Sequence, residues 1–215
     1  MSGLTLQQTN QLFQNVADDI IANQDVLTEA DRAIGDGDHG VGMARGCEAV
    51  REELANGAAS DLGELLRSIG TKLMMSIGGA AGAIYGTFFC SAGKNLAGVQ
   101  VLDSKSLYRM LADGMAGVQE RGKAQVGDKT IVDVLAPATE KAAEMQDVDL
   151  DESLAAVVDA ATEGMESTKN LVATLGRAKT LGERSLGHPD PGAVSMVLIL
   201  KSMSEHAKRM LNEEI

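Results

Sequence analysis

The chain has 215 residues, 44% of them hydrophobic and only 2% aromatic, with 19 Lys and Arg against 31 Asp and Glu for a net charge of −12. That length allows one large domain or two small ones, and the apolar share is enough for a substantial core. The acidic balance leaves no electrostatic footprint for nucleic acid or anionic lipid, and no apolar run approaches the roughly 18 residues a membrane span requires.

The apolar residues are mostly alanine, leucine and methionine, without tryptophan, which favours helix over sheet. The N-terminal MSGLTLQQTNQLFQ lacks the basic-then-apolar order of a signal peptide, so a cytoplasmic location is expected. Cys47 and Cys90 sit far apart in apolar helical stretches and read as buried free thiols.

Leu12, Phe13, Val16 and Ile20 recur at helical spacing and predict a first helix over residues 5–23. A glycine-and-acid loop, IGDGDHG at 34–40, follows. The second helix begins near His39 and carries Val41, Ala44, Cys47, Val50 and Leu54. Ser60 or Asp61 can cap a third, with Leu62, Leu65, Leu66, Ile69 and Leu73 inward. SIGGAAG at 76–82 makes a tight turn into a fourth helix bearing Ile84, Phe88 and Phe89. Asp103 or Ser104 can cap a fifth, with Leu107, Met110, Leu111 and Val118. Asp128 or Thr130 starts a sixth, which contains or is kinked by Pro137. Residues 151–174 predict a long amphipathic seventh helix. After a polar loop at 175–192, the eighth carries Val194, Val197, Leu198 and Met203. No segment alternates with period two. The expected fold is all-α: a single domain, 1–215, forming an antiparallel bundle of about eight helices.

Four glycine-bearing polar loops, at 31–42, 76–82, 121–130 and 175–192, follow helices one, three, five and seven. In an up-and-down bundle all four meet at one end, which makes that end a site rather than a set of scattered turns. Gly35 to Gly40 spell G-x-G-x-x-G. Two carboxylates inside a pyrophosphate cradle would repel the phosphates, so the dinucleotide fingerprint does not apply. The EF-hand pattern also fails, since Gly40 stands at a ligand position and Cys47 where the bidentate Glu belongs. Asp31, Asp36 and Asp38 instead supply hard oxygens suited to Mg²⁺, which takes one or two carboxylates and completes its shell with water and substrate phosphate. The acids then meet phosphate through metal, while Gly40 and Gly42 let the next helix N-terminus approach the same phosphates. The bland alternative is a solvated loop whose aspartates cap that helix.

His39 is open to three readings: phosphate donor, general base, or zinc ligand, the last lacking soft co-ligands. His206 on the last helix reads as a surface residue. Gly122 to Thr130 nearly spell a P-loop, but Asp128 spoils the spacing and no strand precedes it. Lys129 and Thr130 remain candidates for polar ligand contact. Arg177, Lys179 and Arg184 crowd the loop stiffened by Pro189 and Pro191, and arginine suits phosphate through its bidentate fork.

IGDGDHG, SIGGAAG followed by YGTFF, the RGKA and GDKT blocks, and GRAKTLGERSLGHPDPGA stand in this order. Taken together, from about Asp31 to the closing helix, the chain resembles the nucleotide-binding L subunit of bacterial dihydroxyacetone kinase, the DhaL family. The resemblance implies an eight-helix antiparallel barrel with an adenine nucleotide, ADP or ATP, at one end. It implies two Mg²⁺ ions on Asp31, Asp36 and Asp38. It implies nucleotide contacts from His39, Gly40, Val41 and Gly42, from Ala80 and Ala81, from Gly122 and Ile131, and from Arg177, Asp190, Pro191 and Gly192. Some members have GDADHG, with asparagine or serine at points where this chain has Gly37, Gly42 and Ala81. The resemblance further implies that the ketose is held on a partner K subunit. The phosphoryl donor is either exchanged ATP or bound ADP recharged by a phosphocarrier M subunit. Arg177 is then the catalytic residue, offsetting charge on the phosphoryl group in transfer. A nucleotide-sensing regulatory module that binds a transcription factor or kinase is the alternative. A metal-dependent hydrolase using Asp36 or Asp38 is a third reading, and it requires no partner.

Overall fold

The structure, a computed structural model, describes residues 2–57 and 59–212. Nine α-helices stand among the described residues: α1 (Leu6–Ala22), α2 (Gln24–Ile34), α3 (His39–Asn56), α4 (Leu62–Ser76), α5 (Gly79–Ala92), α6 (Ser104–Gly122), α7 (Val132–Glu144), α8 (Leu150–Ser167) and α9 (Pro191–Asn212). Short 3-10 helices cover Lys94–Leu96, Thr168–Asn170 and Arg177–Ser185.

Eight of the helices close a ring. α1 packs on α3, and the contacts then run in chain order through α4, α5, α6, α7, α8 and α9, which returns to α1. The ends alternate around it. Leu4–Thr5 ahead of α1 (β1) pairs antiparallel with Val101–Leu102 ahead of α6 (β2), with Leu4 opposite Leu102. The Leu62 amide opening α4 donates to Val99 at 2.9 Å, and the Ser2 amide donates to Asp149, just ahead of α8, at 2.5 Å. α1, α4, α6 and α8 therefore start at one end of the ring, and α3, α5, α7 and α9 start at the other. The expected antiparallel barrel of eight helices is what the chain forms. α2 is an additional helix lying against α3 and α9.

Local chemistry sets the helix starts. Thr5 and Gln8 form a capping box on α1, and Asp103 with Ser106 forms one on α6. Asp61, not Ser60, caps α4 by accepting from the Glu64 amide at 2.7 Å. Ser104 is the first residue of α6, and its hydroxyl donates to Val148 instead. α7 starts at Val132, later than Asp128 or Thr130. Pro137 lies inside α7 and leaves the Asp133 carbonyl without its helical donor; Gly164 of α8 packs against that carbonyl. The seventh predicted helix ends at Ser167 rather than 174, because Thr168–Asn170 tightens into 3-10 geometry.

Leucine, isoleucine, alanine and methionine fill the barrel, and the three phenylalanines pack edge to face: Phe13 on Phe89 at 5.9 Å and Phe88 on Phe89 at 5.1 Å. Cys47 is buried, Cys90 is half-buried, and both are free thiols. His206 is half-buried at the surface: its side chain is 16% exposed and its Nε2 lies 2.9 Å from Asp19 Oδ2, which also accepts from Ser202 at 2.6 Å. No described helix is long and apolar enough to cross a membrane.

Candidate functional site

A cleft of about 480 Å³ opens at the end of the barrel where α3, α5, α7 and α9 begin. Four helix N-termini around one space turn the positive ends of four helix dipoles toward it. They create a local preference for anions in a chain whose net charge is −12. Ile77, Ile84, Ile131 and Leu175 give the cleft an apolar wall.

The three aspartates stand at the polar end. Asp31 is not a loop residue; it sits buried in the last turn of α2. Its Oδ2 accepts from the His39 amide at 3.2 Å, so one helix end caps the next. Asp36 and Asp38 lie exposed in the connection to α3, where Gly37 takes φ +77°. One carboxylate oxygen from each of the three falls within 4.8 Å of the others. The donor set is all hard oxygen, and no other group of three potential ligands occurs among the described residues, which fits Mg²⁺ and not zinc. A cation already stands against these acids: the Arg177 guanidinium pairs with Asp36 and reaches Asp38 at 3.6 Å.

His39 opens α3 and is mostly covered. Burial lowers its pKa, Asp31 opposing, which favours the neutral ring. Its Nε2 lies 2.9 Å from the Ser195 hydroxyl, which is 2.5 Å from the Tyr85 hydroxyl; Tyr85 in turn donates to the Gly192 carbonyl at 2.8 Å. This chain of hydrogen bonds ties the first turns of α3 and α9 to α5. It engages Nε2, which disfavours the zinc-ligand reading of His39.

Consecutive positive φ at Gly78 and Gly79, +81° and +57°, turns the chain sharply into α5. Arg45 braces that turn by donating to the carbonyls of Ser76, at 2.7 Å, and Ile77. On the opposite wall Asp133 folds the Gly127–Thr130 turn, accepting from the Gly127 amide at 2.6 Å and the Thr130 amide at 2.7 Å. Asp190 caps α9 by accepting from the Ala193 amide at 2.8 Å. Burial pushes its pKa to about 7; the Ala193 hydrogen bond and Lys129 oppose the shift, and Asp133 adds to it.

Asp31, Asp36, Asp38, His39, Val41, Gly42, Ala80, Ala81, Ile131, Arg177, Asp190, Pro191 and Gly192 all line this one cleft. Gly40 does not. It presses on α2, where a methyl group would collide with the Gln24 carbonyl and Thr28. Gly122 also lies off the cleft, behind Ile84, 3.3 Å from where its Cβ would be. Thr130 lines the cleft as expected, but Lys129 turns inward and is 2% exposed. Lys179 and Arg184 face solvent. Sequence reasoning missed Arg45, Tyr85 and Ser195. The arginine's only signal was its place one turn after Val41 at the loop-bearing end of α3.

Residues 33–205 match the DAK2 domain family. The chain is 42% identical, over 85% of its length and 88% of the relative's, to the PEP-dependent dihydroxyacetone kinase, ADP-binding subunit DhaL, of Escherichia coli K12. It is 35% identical, over 94% and 98%, to the PTS-dependent dihydroxyacetone kinase, ADP-binding subunit DhaL, of Lactococcus lactis. The crystal structure of the C. freundii dihydroxyacetone kinase with AMP-PNP and Mg²⁺ superposes with a TM-score of 0.74 at 25% identity, covering 95% of this chain. The chain spans about a third of that kinase's length, 35%. This chain belongs to the DAK2 domain family.

Proposed function

We propose that this chain is the nucleotide-binding subunit of a dihydroxyacetone-type kinase, a phosphotransferase in which residues 1–215 form one domain. The meeting of three carboxylates, four helix N-termini and Arg177 in one cleft carries the reading. The ADP-binding names of the E. coli and L. lactis relatives and the AMP-PNP and Mg²⁺ of the C. freundii kinase support it.

The adenine base takes the apolar wall of Ile77, Ile84, Ile131 and Leu175, and the phosphates face the helix N-termini. Asp31, Asp36 and Asp38 are the residues that would hold Mg²⁺, two ions on the family's pattern. Bound Mg²⁺ neutralises phosphate charge and aligns the phosphoryl donor. Arg177, which stands beside Asp36 and Asp38 at the same end of the cleft, would face the phosphoryl group. His39, its Nε2 held by Ser195, ties the α3 N-terminus to α9. No side chain of the cleft serves as nucleophile.

The acceptor is dihydroxyacetone or a related short-chain ketose held on a partner K subunit. Cleft-end residues Val41, Met75 and Val126 are exposed apolar side chains and suit such docking, with Met75 79% exposed. The PEP- and PTS-dependent names of the relatives favour bound ADP recharged by a phosphocarrier M subunit over exchange of ATP. The reaction belongs in the cytoplasm, where such phosphocarriers work. The test is phosphoryl transfer by the purified chain with a K subunit, Mg²⁺, and either ATP or ADP plus the phosphocarrier system. Ketose phosphate forms only when both subunits are present. Phosphate release by the chain alone would instead favour a hydrolase. Absence of transfer with intact ADP binding would favour a nucleotide-sensing module.

A further inference from the structure

Lys129 is a buried cation with no part in the chemistry above. It lies between α6 and α7 at φ +60° and is 2% exposed. Its ammonium donates to the carbonyls of Thr168, Ser185 and His188 at 2.7, 2.8 and 2.6 Å. Three N–H groups meet three acceptors, so its donor capacity is filled. Burial lowers its pKa while Asp190 and Asp133 face it and hold the charge.

Those carbonyls belong to both legs of the segment between α8 and α9. Thr168 is on the outgoing leg; Ser185 and His188 are on the returning one. The legs are also sewn to each other. The Gly187 amide donates to Lys169 at 2.8 Å, the Ala173 amide to Ser185 at 3.0 Å, and the Asp190 amide to Thr168 at 3.0 Å. Next to Lys129, Asp128 accepts from the Thr174 hydroxyl at 2.5 Å. Beyond these ties lies a tip bounded by Gly176 and Gly182, at φ +66° and +55°. Arg177 is on that tip. Its side chain is 64% exposed and reaches across the cleft to Asp36.

We propose that Lys129 is a positioning residue for phosphoryl transfer: its buried ammonium locks the base of the 168–190 segment so that the tip presents Arg177 at the phosphate end of the cleft. The proposal rests on the transfer reading given above. A compact ammonium suits three carbonyls converging from different directions. The planar fork of arginine does not fit them, and glutamine supplies only two N–H groups.

The experiment compares wild type, Lys129→Gln, Arg177→Ala and the double variant. Amide hydrogen exchange is read on each chain alone, and kcat and nucleotide KM are read with the K subunit. Lys129→Met repeats the comparison if Lys129→Gln does not fold. Exchange at 168–190 is expected to rise at least tenfold in Lys129→Gln, while α3 to α6 stay protected. The kcat is expected to fall at least tenfold with nucleotide KM changing less than threefold. In the Arg177→Ala background the Lys129 change is expected to cost no further kcat. Unaltered exchange at 168–190 would overturn the proposal whether or not the chain transfers phosphate. An equal loss of kcat in both backgrounds would overturn the link to Arg177 while leaving the transfer reading intact. Wild-type kcat in Arg177→Ala would remove Arg177 from the transfer reading, and the positioning role with it.

Discussion

The Asp31 carboxylate accepts a hydrogen bond from the His39 amide at 3.2 Å, so the residue that would share metal with Asp36 and Asp38 also caps α3. The three aspartates are therefore not equivalent. Asp36→Ala or Asp38→Ala, both at exposed positions, is expected to abolish Mg²⁺-dependent ADP binding without lowering the ligand-free melting temperature. Asp31→Ala is expected to lose the same binding and also a helix cap, about 0.5–2 kcal/mol. Calorimetric titration with ADP and Mg²⁺, paired with thermal melts, separates the two effects. Unchanged ADP affinity in Asp36→Ala would count against metal bridging.

Two glycines of the same helix also part company. A Cβ on Gly40 would strike the Gln24 carbonyl and Thr28 of α2, whereas one on Gly42 would sit 3.4 Å from Ile77 at the cleft wall. Gly40→Ala is expected to destabilise by about 1–3 kcal/mol, each kcal/mol lowering the melting temperature by about 2–4 °C. Gly42→Ala is expected to melt near wild type and to weaken nucleotide binding instead. Equal melting temperatures for the pair would mean that α2 gives way to the methyl group.

The difference between Gly40 and Gly42 shows where the sequence stops being readable. The barrel helices were legible because leucine and isoleucine recur at helical spacing on each. α2 was not, since its buried face is Leu27, Thr28, Asp31 and Ile34, half of it polar. Its omission left the loop reasoning intact, because an extra helix ahead of the first loop shifts all four loops together. The Arg177–Ser185 turns were hidden for the opposite reason: a charged segment is organised by a lysine distant in sequence. Lys129 itself reads as a ligand contact, and nothing local reveals that three carbonyls will surround it. Gly40 was read by its motif, and motif spacing does not say which glycines face ligand and which face a neighbouring helix.

Asp190 gives the stability of the fold a pH dependence. Burial raises its pKa from 3.8 to about 7, so between those values the folded chain holds a proton that the unfolded chain releases. Its contribution is present below about pH 4 and is lost as pH rises through 7. His39 acts in the other sense: its lowered pKa costs stability as pH falls below 6.5. Asp190→Asn keeps an acceptor for the Ala193 amide and removes the titration. The stability difference between variant and wild type is therefore expected to move in the variant's favour from pH 4 to 7 and then to level off. Denaturant melts across that range measure it. A difference independent of pH would place the Asp190 carboxyl at its ordinary value.

Arg177 is the cleft residue whose two possible roles separate in kinetics. Its guanidinium stands against Asp36 and Asp38, on a tip bounded by two glycines, where it can leave the acids and meet a phosphoryl group. If it offsets charge that grows during transfer, Arg177→Lys keeps the charge, loses the bidentate fork, and slows turnover more than it weakens binding. Such a contact is typically worth roughly 3–4 kcal/mol, or about two to three orders of magnitude in rate. The expected outcome is a kcat lowered by about that factor, with ADP affinity changed only severalfold. If Arg177 merely closed the cleft, affinity would fall and the rate at saturating nucleotide would hold. Steady-state kinetics with the K subunit, alongside ADP titration of the same variant, decide between the two roles. Wild-type values for both would take Arg177 out of the site.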